Sequence, residues 1–262
     1  MQKFKIAVAK NRFDKNCINT EMTWEDFLRR IAIPIKTPEN YEQFISLPKP
    51  KQDELKDVGG FIAGETKDGR RQATSIINRC MIVLDADNIE PGQTQKIIGL
   101  VDGLKCTYVI YSTRKHSSYK PRLRIVIPTN RIMTPDEYEP VARMIAKSFM
   151  GVLDKSTFDV NRIMYWPSCS KDSEFICTYN QEQRGLVDVD GVLGLYKNWK
   201  DVSEWIRVPG ENEIAIKDTQ GRKLMNPCDK KGIIGAFNTV YDIHSAITEF
   251  LTDRYEPRKN RR

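Results

Sequence analysis

The run Cys80-Met81-Ile82-Val83-Leu84 is apolar at every position, so its side chains ask for cover on both sides. A short run of that kind suits a central strand buried between two layers. It ends in Asp85-Ala86-Asp87, and on an extended backbone the two carboxylates point to the same side of the sheet. Any fold for this chain must bury a strand whose end carries paired negative charge.

The surroundings supply the layers. Lys3 to Ala9 alternates with period two and reads as a strand; Thr23 with Asp26 forms a capping arrangement before Trp24, Phe27, Leu28 and Ile31. Thr37-Pro38-Glu39 predicts the cap of a second helix carrying Tyr41, Phe44 and Ile45, ended by Pro48 and Pro50. After the central strand come a helix from about Thr94 to Leu104, a strand Thr107 to Tyr111 and a strand Arg122 to Pro128. Thr134-Pro135-Asp136-Glu137 opens an amphipathic helix with Tyr138, Val141, Ala142, Ile145 and Phe149 on one stripe, and a last strand runs Arg162 to Trp166. The order predicts an α+β sandwich with helices on one sheet face. The expected organisation is a main domain over 1–190, a linker over 191–225 containing the polar stretch Pro209 to Lys223, and a helical module over 226–262 whose last helix is Ile243 to Tyr255.

Several function classes drop out. No apolar run approaches the roughly 20 residues of a membrane helix, and charges interrupt every apolar stretch near the start, so a cytoplasmic protein with no membrane partner is expected. Six scattered cysteines without a C-x-x-C pair argue against a disulfide or zinc framework. Two histidines, His116 and His244, cannot build a His-rich metal centre. Gly59-Gly60-Phe61-Ile62-Ala63-Gly64-Glu65-Thr66 has P-loop glycine spacing, but Glu65 stands where the lysine is needed and would repel phosphates; a hairpin around Lys67-Asp68-Gly69-Arg70 is the better reading. The net charge of +7 draws heavily on the tail Arg254 to Arg262, leaving only +3 for the body, so charge alone argues weakly for nucleic acid.

The chemistry is read from three segments. Asp85 and Asp87 are hard oxygen donors suited to Mg²⁺ or Mn²⁺, although Asp at a strand end also forms turns. In Arg122-Leu123-Arg124-Ile125-Val126-Ile127 the alternation puts Arg122 and Arg124 on one face, either as a phosphate clamp or as solvated charges on an exposed strand. The preceding loop adds Ser112, His116 and Lys120. Further on, Asp154 or Asp159 completes a carboxylate triad, with Arg162 beside it. Acids on one strand, arginines on a second, and an acid with an arginine before a third are what binding a metal-nucleotide and transferring a nucleotidyl group require.

These segments resemble the archaeo-eukaryotic primase-polymerase superfamily, in the form found at the amino terminus of virulence-associated-E-like replication proteins of phages and mobile elements. The matching residues are Lys56-Asp57-Val58-Gly59-Gly60-Phe61, Val83 to Asp87, Tyr111-Ser112-Thr113 with Lys115-His116, Pro121 to Pro128, and Asn161 to Ser168. A final block, Lys231 to Phe237 with Tyr241-Asp242-Ile243, is similar to a small helical primase module. The resemblance implies an RRM-like catalytic core with an amino-terminal α/β unit. It implies two divalent ions on Asp85, Asp87 and Asp154, with Asp159 as the alternative third acid. Incoming nucleoside triphosphate would be held by Arg122, Arg124, His116, Lys120, Ser112 and Arg162. The second superfamily motif is usually Ser-x-His, where this chain has Arg122-Leu123-Arg124, so the nucleotide contacts depart from the pattern. Implied partners are single-stranded DNA template, a primer, and a replicative helicase in the same longer chain or a separate protein, in the cytoplasm of a bacterial host. The rival readings are a non-catalytic single-stranded nucleic-acid-binding module and a metal-dependent nuclease.

Overall fold

A computed structural model describes residues 3–180 and 184–209. The chain divides into two units, 1–211 and 212–262, and the second, with the expected final helix and basic tail, lies outside the described residues.

The central run forms β5 (Arg79–Ala86), buried along its whole length. It pairs antiparallel with β7 (Leu123–Met133), which also pairs antiparallel with β6 (Val109–Ser112); β10 (Cys177–Tyr179) closes the other edge, giving the order β10-β6-β7-β5. Helix α4 (Thr94–Asp102) connects β5 to β6, and α5 (Pro135–Ile145) follows β7. Because β5 and β6 are both antiparallel to the strand between them, the connection is a split β-α-β unit.

Alternation then decides what each face touches. Ile82, Leu84, Ile125 and Ile127 pack with Ile97 and Val101 of α4 and Tyr138, Val141 and Ala142 of α5. Met81, Val83, Val109 and Val126 face the other way, onto a second sheet. That sheet has the order β2-β1-β4-β8, from β1 (Lys3–Ala9), β2 (Ile18–Thr23), β4 (Gly60–Ile62) and β8 (Met164–Tyr165). Phe4 and Ile6 of β1, Phe61 of β4 and Phe27 and Ile31 of α1 (Trp24–Ala32) supply the apolar contact. The result is mixed α+β with antiparallel main sheets and α4 and α5 on one face of the central sheet.

Several boundaries differ from the sequence reading. The Thr23 cap of α1 is present, its side chain accepting from the Asp26 amide at 3.1 Å. Thr37 caps nothing: it ends β3 (Ile35–Thr37), paired in parallel with β9 (Ser168–Ser170), and its hydroxyl accepts from Arg114 at 2.7 Å. The cap of α2 (Tyr41–Ser46) is Asn40, in a reciprocal box with Gln43. Pro48 and Pro50 begin α3 (Lys49–Lys56), since a helix start needs no proline N–H. The strand expected over Arg162 to Trp166 shrinks to β8 and joins the amino-terminal sheet, where Met164 is fully buried. Lys67 to Gly69 makes a tight turn as expected, but it closes an isolated Thr66–Ile76 bridge instead of two long strands. The glycines around Phe61 serve close packing: a Cβ on Gly60 would sit 2.5 Å from the Met164 carbonyl, and one on Gly64 would sit 1.9 Å from that of Asn78. Beyond 190, α6 (Val189–Leu193) and the segment up to Val208 pack on the α4–α5 side, with Leu193 and Val208 buried. Among the described residues no helix is long and apolar enough to cross a membrane.

Candidate active site

The face of the central sheet that meets the amino-terminal sheet changes character at its end. Past Val83, Val109 and Val126 the same side-chain parity delivers Asp85, Tyr111 and Arg124. Asp85 and Arg124 are cross-strand partners, and the Arg124 Nε donates to Asp85 Oδ1 at 2.6 Å with both side chains buried. The Arg124 Nη1 donates to the Tyr165 carbonyl at 2.7 Å and to the Tyr111 hydroxyl at 3.3 Å. A charge pair this deep needs its remaining hydrogen bonds filled, and here most of them are.

Asp154 enters from the segment after α5. Its amide donates to the Asp85 carbonyl at 2.9 Å, an Ala86–Leu153 bridge extends the sheet edge, and the Thr157 hydroxyl accepts from the Asp85 amide at 2.8 Å while donating to the Val83 carbonyl. These bonds clamp the 153–157 segment onto the end of β5. Arg162 then bridges the acids: its Nη2 lies 3.1 Å from Asp85 Oδ2 and 2.8 Å from Asp154 Oδ2. Asp154 Oδ1 accepts from the Ser156 amide and hydroxyl, each at 3.0 Å.

Asp87 stands apart. Its Oδ2 pairs with Arg122 Nη1 at 2.6 Å in a half-exposed setting. The Arg122 amide in turn donates to His116 Nδ1 at 3.0 Å. The result is two clefts along one row of charge. One, about 380 Å³, contains Asp85, Arg124, Arg162, Lys56, Arg71, Asp159, Asn161 and Tyr165. The other, about 400 Å³, contains Asp87, Arg122, Asp154, Lys155 and Asn88.

The titration of the acids follows the pairing. Burial pushes the Asp85 carboxyl up, but the guanidiniums of Arg124 and Arg162 outweigh it and hold it below the usual carboxylate range. Asp154 is lowered too, because Ser156 and Arg162 outweigh its desolvation. Asp87 goes the other way: burial raises it and Arg122 only partly offsets that, with Asp85 and Asp154 adding repulsion. Lys56 is lowered by burial and by the charge of Arg124.

The structure gathers Asp85, Asp87, Asp154, Arg122, Arg124 and Arg162. It does not gather Ser112, Lys120 or His116. Ser112 is buried and accepts from the Ile176 amide at 3.0 Å. Lys120 is exposed and makes no ion pair among the described residues; its amide bonds back to Ser117. His116 is buried and spent on the Arg122 amide; loss of water lowers its pKa, and the Arg122 contact only partly offsets that. Arg114 of the same basic loop is turned inward, paired with Glu39 and lying over the Phe44 ring. Asp159 lies in the Asp85 cleft, its amide donating to the Ser156 carbonyl at 3.2 Å, so of the two candidate third acids it is Asp154 that shares a guanidinium with Asp85. The sequence reading assigned no role to Lys56, Arg71, Tyr111 or Thr157. Tyr111 was reachable by strand parity; Lys56 fell inside a block that carries the resemblance, but nothing in its spacing gave it a role.

For a divalent ion, the donor chemistry is suitable and the arrangement is partial. Among the described residues no three His, Cys, Asp or Glu side chains converge on one point. Asp85 and Asp154 do converge, on a cationic nitrogen of Arg162, which stands where an ion shared by the two carboxylates would stand. The pair therefore fits a hard cation once that guanidinium withdraws; Asp87 is held aside by Arg122.

No curated protein matches the chain. Among solved structures it is similar to the AEP domain of the cyanophage S-2L primase-polymerase (PrimPol), with a TM-score of 0.39 and 12% identity over 73% of this chain and 87% of that one. Residues 1–208, which hold both main sheets and the whole acid–arginine row, match the family described as VapE N-terminal domain, and the chain belongs to that family.

Proposed function

We propose that this domain is a template-dependent primase-polymerase that transfers nucleotidyl groups from nucleoside triphosphates to a 3′-hydroxyl on single-stranded DNA. The observation that carries the reading is the convergence of Asp85, Arg124, Asp154 and Arg162, from three segments, at one end of a buried sheet. On this reading the sheet of β5, β6, β7 and β10 with α4 and α5 is an RRM-like catalytic core, and the β1-β2-β4-β8 sheet with α1 is the amino-terminal α/β unit. On the same reading residues 226–262 grip template or primer, and a replicative helicase is the partner.

Asp85 and Asp154, with Asp87 alongside, would hold Mg²⁺ or Mn²⁺. Such ions supply Lewis acidity at the phosphoryl oxygens and make the 3′-hydroxyl a better nucleophile. The chain's own residues do the positioning. Arg124 fixes Asp85, and Thr157 fixes the backbone beneath it. His116 holds the Arg122 backbone, and Arg122 orients Asp87. Arg162, freed from the two acids, becomes a cation available to phosphate.

A second reading has its own observation: Asp85, Asp87 and Asp154 each have a guanidinium partner, as suits a binding module that uses Arg and Lys for phosphates alone. Incubation with a single-stranded template, labelled ribo- or deoxynucleoside triphosphates and Mn²⁺ or Mg²⁺, with and without primer, separates the two. Products that lengthen on the template and vanish in Asp85→Ala support the polymerase, and the unprimed lane reports priming. DNA retardation on a gel with no product in any lane supports the binding module. Shortening of labelled DNA without nucleotides points to a nuclease.

A further inference from the structure

The basic loop between β6 and β7 spends most of its chemistry on holding itself in place. The Arg114 side chain is 2% exposed, pairs with Glu39, donates to the Thr37 hydroxyl at 2.7 Å and lies 4.4 Å over the Phe44 ring. The Tyr41 hydroxyl donates to the Lys115 carbonyl at 3.3 Å. The Thr113 amide donates to the Arg122 carbonyl at 3.1 Å and the Arg122 amide to His116 Nδ1 at 3.0 Å, which closes the root of the loop. Beyond it Ser117 and Lys120 form a bridge, exchanging amide–carbonyl bonds at 3.3 and 3.2 Å, so the tip is the pair Ser118-Tyr119. A two-residue hairpin connection of this kind leaves its tip little freedom.

Tyr119 is 87% exposed, the highest value of any large apolar or aromatic side chain among the described residues. A ring left in water gains nothing inside the domain, whereas covering it with a flat partner releases that water. Its chain neighbours are hydroxyls and cations: Ser117 and Ser118 before it, Lys120 after it, with Lys115 lower on the same hairpin. Lys115 and Lys120 have no acidic partner among the described residues; Glu39 is taken by Arg114, and Glu174 acts on His116. The core of a protein interface is depleted of charge, whereas one ring flanked by unpaired lysines matches a base and the phosphates on either side of it.

We propose that the 117–120 hairpin is a stacking platform for single-stranded nucleic acid, with Tyr119 against one base and Lys115 and Lys120 on the flanking phosphates. This rests on the polynucleotide partner common to the polymerase and binding-module readings, and it assigns the strand to a surface outside the two clefts. The root is fixed by Arg114 and the tip by the Ser117–Lys120 bridge, so little freedom is lost when a base covers the ring. Every base has a flat face, so such a platform tolerates any sequence. Only Pro121 separates Lys120 from Arg122, the partner of Asp87, so a strand held at the tip passes within reach of the acid row.

The test is fluorescence anisotropy with the full chain and three labelled probes, namely oligothymidylate, the same backbone without bases, and a blunt duplex, each over a series of salt concentrations. Removing a stacking ring corresponds to roughly five- to a hundredfold weaker binding. Tyr119→Ala is expected to lose that factor on oligothymidylate and Tyr119→Trp to keep the affinity, while the abasic chain and the duplex register no change in either variant. Lys120→Met should flatten the slope of log affinity against log salt by about 0.7, the share of one phosphate on a single strand, and Tyr119→Ala should leave that slope as it is. Unchanged oligothymidylate affinity in Tyr119→Ala overturns the proposal and leaves the ring to a protein partner. An equal loss on the abasic chain overturns it too, since no base is there to stack. If the wild type binds through Tyr119 yet makes no product in any lane, only the polymerase reading falls; if it makes product and Tyr119→Ala leaves affinity and template KM unchanged, only this assignment falls.

Discussion

Asp85 and Asp87 are the same residue type, two positions apart at the end of one strand, and the fold treats them oppositely. Asp85 is 4% exposed, has both oxygens on guanidiniums, and titrates low. Asp87 has one guanidinium on one oxygen, is partly open to solvent and titrates high. The difference comes from what lies opposite. β7 places Arg124 directly across from Asp85, and the 153–157 segment closes over the same point, whereas Asp87 lies past the end of β5. A carboxylate that has lost water is kept ionised only by partners, and the partner count separates the two.

That contrast can be broken in steps, beginning with the largest effect. Asp85→Asn is expected to abolish nucleotidyl transfer while oligonucleotide retardation persists, whereas Asp87→Asn should leave measurable synthesis; equal loss in primer extension would erase the distinction. Next comes stability. Arg124→Met strands a buried carboxylate and is expected to cost about 3–5 kcal/mol in denaturant unfolding. Arg122→Met, at a partly exposed pair, should cost about 1 kcal/mol or less.

Thr157→Val probes the backbone beneath the pair. The hydroxyl is fully buried between the Asp85 amide and the Val83 carbonyl, so its removal should cost about 1–3 kcal/mol, with a matching drop in the denaturation midpoint. The smallest effect is in pH dependence without metal. The lowered Asp85 contributes stability above its unfolded pKa, near 3.9, and loses it as pH falls through the folded value. The raised Asp87 works in reverse: ionisation is disfavoured in the fold, so stability falls as pH rises from about 3.9 through its folded pKa. Relative to wild type, Asp85→Asn should therefore lose ground as pH rises toward about 3.9 and stay level above it, and Asp87→Asn should gain ground as pH rises from about 3.9. Urea midpoints on both sides of that pH would show whether the two slopes have opposite sign.

Much of the site was legible because strand parity is local. Leu123, Ile125 and Ile127 do face the helices, and Arg124 does face the other way with Asp85 across from it. The acid in Leu153-Asp154 and the arginine at 162 were likewise visible as types. Their pairing was not: Arg162 meets an acid 77 positions away in Asp85, and Arg124 meets the same acid across 39. Lys56 stood in a matching block without a role for a similar reason, since only the docking of α3 beside Tyr165 brings it to the cleft. The amino-terminal sheet was half read. β1 has a clean alternation, while β2 at its edge, like the separate β3–β9 pair, is a short strand whose polar residues carry little period.

The sequence by itself determined which residues alternate, where the buried strand must lie, where acids and arginines fall along the chain, and that a P-loop was excluded by Glu65. These are properties of single residues and of repeats two to four positions long. The tertiary structure alone decided which acids Arg122, Arg124 and Arg162 meet, and that Arg162 spans Asp85 and Asp154. Coulombic pairing depends on distance through space and on loss of water, and both are set only when segments far apart in the chain are brought together.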